Sequence, residues 1–313
     1  MKKVLFIDSV HSILETRLAA AGYVCEHDLT SNREEIMHQM HKYDGLVLRS
    51  RIRIDEAFMQ SAPQLKWIAR SGSGLENIDL QAAQAHGIQV IHSAEGNRDA
   101  VGEHVIGLTL NLLNKMCEAN HSVKNGHWLR EAHRGRELKH LTFGIIGYGV
   151  MGSAVAEKLS GFGCKVIAHD KYKTGYSSGL VTEVELAQIF QEADVVSLHL
   201  PQSAETFHYA DSNFFASFAK PIYFLNTARG KNVDTAALLH ALHQHQVVAA
   251  GLDVLEFEKA SLEGLDVNDA ATLQELMKLP NVLLTPHVAG WTTESYFKLS
   301  DVLANKIIAF DQI

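Results

Sequence analysis

The run Leu141-Thr-Phe-Gly-Ile-Ile-Gly-Tyr-Gly-Val-Met-Gly-Ser-Ala-Val-Ala156 constrains this chain more than any other stretch. It reads as an apolar strand, a Gly147-x-Gly149-x-x-Gly152 turn and the start of a helix, the pattern of a βαβ unit that cradles a dinucleotide. Gly147 permits a tight turn, Gly149 lets the backbone approach a pyrophosphate, and Gly152 lets the helix pack closely on the strand. Free N–H groups at the helix N-terminus, at the positive end of its dipole, complete an anion site. Lys165 to Asp170 reads as the next strand, and Asp170, 18 residues after Gly152, stands where an acid hydrogen-bonds a ribose 2′-hydroxyl. An acid there repels a 2′-phosphate, so Asp170 favours NAD over NADP, while Lys171 and Lys173 act the other way. The turn starts near the middle of the chain, so about 140 residues precede it and must build something else.

The first 95 residues alternate strand and helix. Strands are expected at Val4–Asp8, Tyr23–His27, Gly45–Arg49, Trp67–Ser71 and Ile88–His92, with helices such as His11–Ala21, Arg33–His41 and Leu80–His86 between them. One long amphipathic helix is expected over Ala100–Asn125, followed by a polar, basic stretch to Lys139. Six further strands follow: Phe143–Gly147, Lys165–Asp170, Val195–Leu200, Pro221–Thr227, Val247–Val254 and Val282–His287. A surface loop over Glu258–Ala271 and a last helix over Thr292–Phe310 complete the expectation. The fold class is α/β, with two doubly wound parallel-sheet domains: a flavodoxin-like one, and a Rossmann domain inserted before the final helix.

A net charge of −8 and a pI near 6.1 give no sign of nucleic-acid binding. No run of 18 apolar residues exists; the longest candidate, Val105–Cys117, is interrupted by Gly, Thr, Asn and Lys, so no membrane span is expected. The N-terminal Met-Lys-Lys-Val-Leu-Phe-Ile-Asp reads as a first strand rather than a signal segment, because Asp8 and His11 break its apolar run. Cys25, Cys117 and Cys164 are far apart and form no CxxC, which suggests a reducing cytoplasm. His240-x-x-His243-x-His245 lacks the spacing of a helical zinc site, and no metal is expected.

In an open α/β sheet, ligands bind beyond the carboxyl ends of the strands. Arg229, Glu258 and His287 fall just after the last three expected strands. Ordered pieces around them resemble the D-isomer-specific 2-hydroxyacid dehydrogenases, nearest to the 3-phosphoglycerate dehydrogenase branch. These pieces are Arg70-Ser-Gly-Ser-Gly-Leu-Glu-Asn-Ile-Asp79, Asn97 through Glu103-His104, Gly144 to Gly152, His199-Leu-Pro201, Asn226-Thr-Ala-Arg-Gly230, Gly251-Leu-Asp-Val254 and Thr285-Pro-His-Val288. The resemblance covers nearly the whole chain.

It implies that residues 1–98 with 289–313 form a substrate-binding domain and 99–288 the dinucleotide domain. It implies that His287 is the acid/base, Glu258 its carboxylate partner and Arg229 the arginine that grips the substrate carboxylate. Implied cofactor positions are Val101 and the turn residues Gly147, Gly149, Val150, Met151 and Gly152, then Asp170. His199, Leu200, Pro201 and Thr206 follow, then Thr227, Ala228 and Arg229, and last Asp253, His287, Ala289 and Gly290. The substrate would meet the Ser71-Gly72-Ser73-Gly74 turn, whose N–H groups make an anion nest, with Asn97 nearby.

Arg49, Arg51 and Arg53 alternate at a strand end, and continuation of the strand would put them on one side. Arg49-Ser50 resembles the phosphoglycerate branch, where the arginine faces a phosphate or second carboxylate. For Arg51 and Arg53 a basic edge that resists strand pairing is an equal reading. Arg130, His133, Arg134 and Arg136 could add charge from a partner subunit. Three departures bear on the substrate. Lys259 stands where the family usually has Pro. Trp291 stands where smaller residues are common, and either narrows a pocket or packs a hinge. The extra C-terminal regulatory domain of many phosphoglycerate dehydrogenases is not expected. The leading expectation is an NAD-dependent dehydrogenase, homodimeric through the Ala100–Lys139 region and acting on 3-phosphoglycerate or 3-phosphohydroxypyruvate. The alternatives are a glyoxylate or hydroxypyruvate reductase, and an NAD-sensing corepressor or scaffold on the same fold.

Overall fold

The computed structural model describes residues 2–259, 265 and 271–311, so most of the loop expected over Glu258–Ala271 lies outside the described residues. The chain divides into two compact units: among the described residues, 2–98 with 291–311, and 99–259 with 265 and 271–290.

The first unit is one parallel sheet of β1 (Lys2–Phe6), β2 (Tyr23–His27), β3 (Gly45–Leu48), β4 (Trp67–Arg70) and β5 (Gln89–His92), in the order β2-β1-β3-β4-β5. This is the flavodoxin-like order. Alternation along each strand supplies two cores. Val4, Phe6, Val47, Trp67 and Ala69 face helices Ile13–Ala20 and Thr293–Phe310 on one side. Leu5, Ile7, Leu46, Leu48 and Ile68 face helices Arg33–Gln39, Glu56–Gln60 and Leu80–Ala85 on the other. The helix starts are written in the sequence. Asp55 and Asp79 cap through their side chains, and Asn32 and Thr292 form capping boxes with Glu35 and Ser295.

The second unit is a seven-stranded sheet. Its strands are β6 (Thr142–Ile146), β7 (Lys165–His169), β8 (Thr182–Glu183), β9 (Val195–Leu198), β10 (Ile222–Asn226), β11 (Val247–Leu252) and β12 (Val282–Leu284). The order is β12-β11-β10-β9-β6-β7-β8 and every pairing is parallel, the doubly wound arrangement with its switch point between β6 and β9. The two-residue β8 adds a seventh strand to the six expected. His169, Ile146, Leu198, Asn226, Leu252 and Leu284 form a single paired row across the sheet.

The long helix expected over Ala100–Asn125 is two helices, Arg98–Asn114 and Met116–Lys124. Lys115 adopts a left-handed conformation (φ +50°) and breaks the i to i−4 ladder. Asn111 Oδ1 then accepts from the Cys117 N–H at 3.2 Å, meeting a donor at the start of the second helix. Val101, Val105, Leu108 and Leu112 of the first helix pack with Phe143, Ile145 and Leu225. Among the described residues no helix is long and apolar enough to cross a membrane.

Candidate active site

The residues that follow the paired row are Asp170, Gly147, His199, Thr227, Asp253 and Thr285, so six strand ends deliver polar or glycine positions to one edge of the second unit. Gly147 sits at φ +92°, and a Cβ there would lie 2.5 Å from the His199 carbonyl oxygen. A Cβ on Gly152 would lie 2.1 Å from the Gly147 oxygen, whereas one on Gly149 would enter open space. Gly149 is the N-cap of helix Val150–Leu159 and gives it no side-chain cap, so the first-turn N–H groups around Val150 and Met151 face outward for another acceptor. Thr227 Oγ1 is buried with no hydrogen-bond partner among the described residues. An open cradle, an uncapped helix start and an orphan hydroxyl fit the pyrophosphate-bearing group that the sequence implies.

Asp170 accepts from Tyr148 N–H (2.7 Å), Tyr172 N–H (3.0 Å) and Lys173 N–H (2.9 Å). Partial burial pushes its pKa up, but these donors outweigh that and hold the carboxyl below its ordinary value, so it stays anionic. His199 hydrogen-bonds Ser197 Oγ through Nε2 (2.9 Å), and burial pulls its pKa down to about 4, leaving it neutral. Leu200 is partly buried against the core. In the loop that follows, Thr206 Oγ1 donates to Pro201 O (2.6 Å), and Asn232 Nδ2 donates to both Pro201 O and Thr206 O. Val101 is 5% exposed, inside the helix core.

Beyond β10, Asn226 ties down the turn that carries Arg229. Its Oδ1 accepts from Ala228 N–H (3.0 Å) and its Nδ2 donates to Arg229 O (2.9 Å). The guanidinium itself donates to Ala228 O (2.6 Å). Gly230 is obligatory, since a Cβ there would lie 2.0 Å from Leu255 O. This contact seats the arginine turn against the segment that leads to Glu258.

Glu258 Oε2 lies 2.7 Å from His287 Nδ1, and its other oxygen accepts from Leu255 N–H. His287 is left-handed (φ +55°), an uncommon conformation for a non-glycine residue, and the loop that holds it is heavily determined. Its N–H donates to Asp253 O (2.8 Å). The Asp253 carboxylate, 1% exposed, accepts from Thr285 Oγ1 (2.5 Å), Val288 N–H (2.9 Å) and Ala289 N–H (2.8 Å). Asp253, an expected cofactor position, has its carboxylate engaged by this loop. The Ala289 bond ties that residue to the second unit, which runs to Gly290. His104 Nε2 lies 3.1 Å from Thr285 Oγ1 and 3.5 Å from Asp253, bracing the network from helix Arg98–Asn114. Asn226, Asn232, Thr285 and the bracing His104 were not singled out in the sequence as site-forming residues. For Asn226, Thr285 and His104 the signal was there, as polar residues inside the quoted motifs; Asn232 lies two residues past the end of one.

Within the first unit, Asp8 Oδ2 accepts from the N–H groups of Arg49 (2.6 Å), Ser50 (3.2 Å) and Arg51 (3.4 Å), which curls the chain after β3. The strand therefore ends at Leu48, and the three arginines do not line up. The Arg51 guanidinium donates to Ile7 O, Ser31 O and Asp28 O and is a structural staple. Arg49 instead lies over the Trp291 ring, 4.3 Å from its centroid, and Trp291 meets Tyr296 edge-on at 5.6 Å. Trp291 thus acts as a platform for Arg49. Ser71 is buried, the Gly72 N–H donates to Ser93 Oγ (3.2 Å), and Ser73 Oγ donates to Asn97 Oδ1 (2.8 Å). The Gly72 N–H is thereby withdrawn from the expected nest, and the Ser73–Gly74 end of the turn remains. Arg134 pairs with Glu131 at 2.8 Å on the surface of the second unit.

Residues 106–289 match the D-isomer specific 2-hydroxyacid dehydrogenase, NAD binding domain. The D-3-phosphoglycerate dehydrogenase of Archaeoglobus fulgidus is 33% identical over 98% of this chain, which spans only 56% of that protein. The hydroxypyruvate reductase of Thermotoga maritima is 35% identical over 88% of this chain and 87% of its own length. Among solved structures, the D-lactate dehydrogenase of Aquifex aeolicus, complexed with NAD and lactic acid, aligns over 99% of this chain and 96% of its own, with a TM-score of 0.84 at 27% identity. With an NAD-binding-domain match over more than half its length and these relatives over most of it, the chain belongs to the D-isomer specific 2-hydroxyacid dehydrogenase family.

Proposed function

We propose that this protein is an NAD-dependent oxidoreductase that moves a hydride between nicotinamide and C2 of a D-2-hydroxyacid or 2-oxoacid. The observation that carries the reading is the 2.7 Å His287–Glu258 pair on the sheet edge that also bears the Gly147–Gly152 cradle. When bound, the nicotinamide would accept or supply the hydride. With Nδ1 committed to Glu258, His287 presents Nε2 to the substrate hydroxyl, taking its proton in oxidation and returning it in reduction. Glu258 fixes the tautomer and favours the imidazolium that forms. Arg229 offers a planar fork to the substrate carboxylate and polarises the adjacent carbonyl. Within the first unit, the Ser73 and Gly74 N–H groups and Asn97 offer hydrogen bonds to a carboxylate. Asp170 stays anionic and favours NAD over NADP.

Arg49, preorganised on Trp291, supports a substrate with a second anionic group, as in 3-phosphoglycerate and 3-phosphohydroxypyruvate. The Thermotoga maritima relative, matched over most of its own length, supports a second reading: hydroxypyruvate or glyoxylate reduction. The three free thiols fit a reducing cytoplasm. Met116, Val123, Trp128 and Leu129, 47–77% exposed, support a homodimer through the 100–139 region.

The test is a panel of 3-phosphohydroxypyruvate, hydroxypyruvate, glyoxylate, pyruvate and 2-oxoglutarate with NADH and NADPH in parallel. Turnover of 3-phosphohydroxypyruvate that collapses in Arg49→Ala, with smaller acids spared, is the expected result. Equal losses on all acids would reject the phosphate assignment. Tight NADH binding with no turnover of any acid would favour an NAD-sensing scaffold.

A further inference from the structure

We propose that Glu205 is a determinant of dinucleotide choice: it engages Lys171 and Tyr172 and so denies a 2′-phosphate the cation nearest Asp170. The assignment rests on the dinucleotide reading above and goes beyond the discrimination Asp170 supplies alone.

Lys171 and Tyr172 directly follow Asp170 at the end of β7, whereas Glu205 lies in the loop after β9. Strands β7 and β9 flank β6 on either side. A bridge from one loop to the other therefore crosses the carboxyl end of β6, where the glycine turn begins. Lys171 Nζ is bonded to Glu205 Oε1, and the Tyr172 hydroxyl to Glu205 Oε2. Both carboxylate oxygens are thus engaged from the ribose side of the turn.

The loop is anchored where it carries Glu205. The next residue, Thr206, is 7% exposed, donates to Pro201 O at 2.6 Å, and has its carbonyl held by Asn232 Nδ2 at 3.1 Å. The fold places the carboxylate rather than leaving it to a mobile loop. The other cation beside Asp170 is also occupied. Lys173 Nζ donates to Tyr148 O (3.3 Å) and lies 5.2 and 5.8 Å from the ring centroids of Tyr148 and Tyr176, which stack on each other at 4.4 Å. Around Asp170, then, one lysine is neutralised by a second carboxylate and the other is captured on an aromatic pair. A 2′-phosphate carries about −1.5 to −2 charge near neutral pH. It would meet two carboxylates and no uncommitted lysine.

Glu205 and Lys171 are exposed, and exposed pairs contribute little to stability, so Glu205→Gln should fold normally. Dissociation constants for NADH and NADPH are measured by calorimetry, without substrate, for the wild type, Glu205→Gln and Lys171→Met/Glu205→Gln. The expected result is that Glu205→Gln narrows the preference for NADH by about tenfold, about 1.4 kcal/mol, and that the double variant loses the gain. An unchanged preference in Glu205→Gln, with NADH still bound, would overturn the role of Glu205 and leave the dinucleotide reading standing. A gain that persists without Lys171 would also overturn it. Wild-type binding of neither dinucleotide would overturn both.

Discussion

Asp253 and His287 illustrate how residues of two motifs that meet in space divide their tasks. His287 faces Glu258, whereas Asp253 accepts one hydroxyl and two backbone N–H groups and thereby holds His287 in its left-handed conformation. Asp253→Ala would leave those donors unmet, each a loss of about 1–3 kcal/mol. Thermal denaturation should register a lower Tm, and kcat should fall at least about tenfold with NADH affinity less affected; an unchanged kcat would remove the positioning role. His199 supplies a pH signature. Its pKa in the folded protein is about 4 against an ordinary 6.5, so the unfolded chain takes up a proton first as pH falls. The corresponding stability is complete above pH 6.5 and is lost between there and pH 4, on the order of 3 kcal/mol. His92, lowered by burial beside Lys306, acts in the same direction. Wild type should therefore lose Tm over that window more steeply than His199→Asn; parallel profiles would contradict the assignment. Arg229 and His287 could be singled out in the sequence because each lies inside a quoted motif. The fate of Arg51 was not legible there, because period-two reasoning required β3 to continue, and Asp8 ends it by collecting three N–H groups.

At the scale of elements, the glycines separate into those that shape the fold and one that leaves room. Gly152 presses on Gly147 O and Gly230 on Leu255 O, while Gly149 faces open space. Gly152→Ala should destabilise the second unit by roughly 1–3 kcal/mol through forced displacement of backbone. Gly149→Ala should preserve Tm and weaken NADH binding about tenfold or more, measured by fluorescence titration. A Gly149→Ala protein with unchanged affinity would contradict the cradle. Strand positions were readable because buried parallel strands are continuous apolar runs bounded by turn residues. The two-residue β8 was too short to produce such a run. The break at Lys115 was hidden because 98–114 and 116–124 share a helical pattern, and only one left-handed residue interrupts it.

At the scale of the whole molecule, each unit is a doubly wound parallel sheet whose candidate residues follow the carboxyl ends of its strands. The apolar side chains of Met116, Val123, Trp128 and Leu129 are exposed within one short stretch of the chain, and sedimentation should report a dimer. Trp128→Glu with Leu129→Glu should shift it toward monomer; a wild-type monomer would contradict the assignment. The central claim is that His287, held by Glu258, moves the proton in a hydride-transfer reaction whose cofactor rests on the glycine cradle. The most direct measurement is turnover of NADH with the preferred 2-oxoacid beside calorimetric NADH binding, for wild type and His287→Ala. The account predicts a loss of kcat of about 10²–10⁴-fold with NADH affinity nearly unchanged. Full turnover in His287→Ala, or no NADH binding by the wild type, would contradict it.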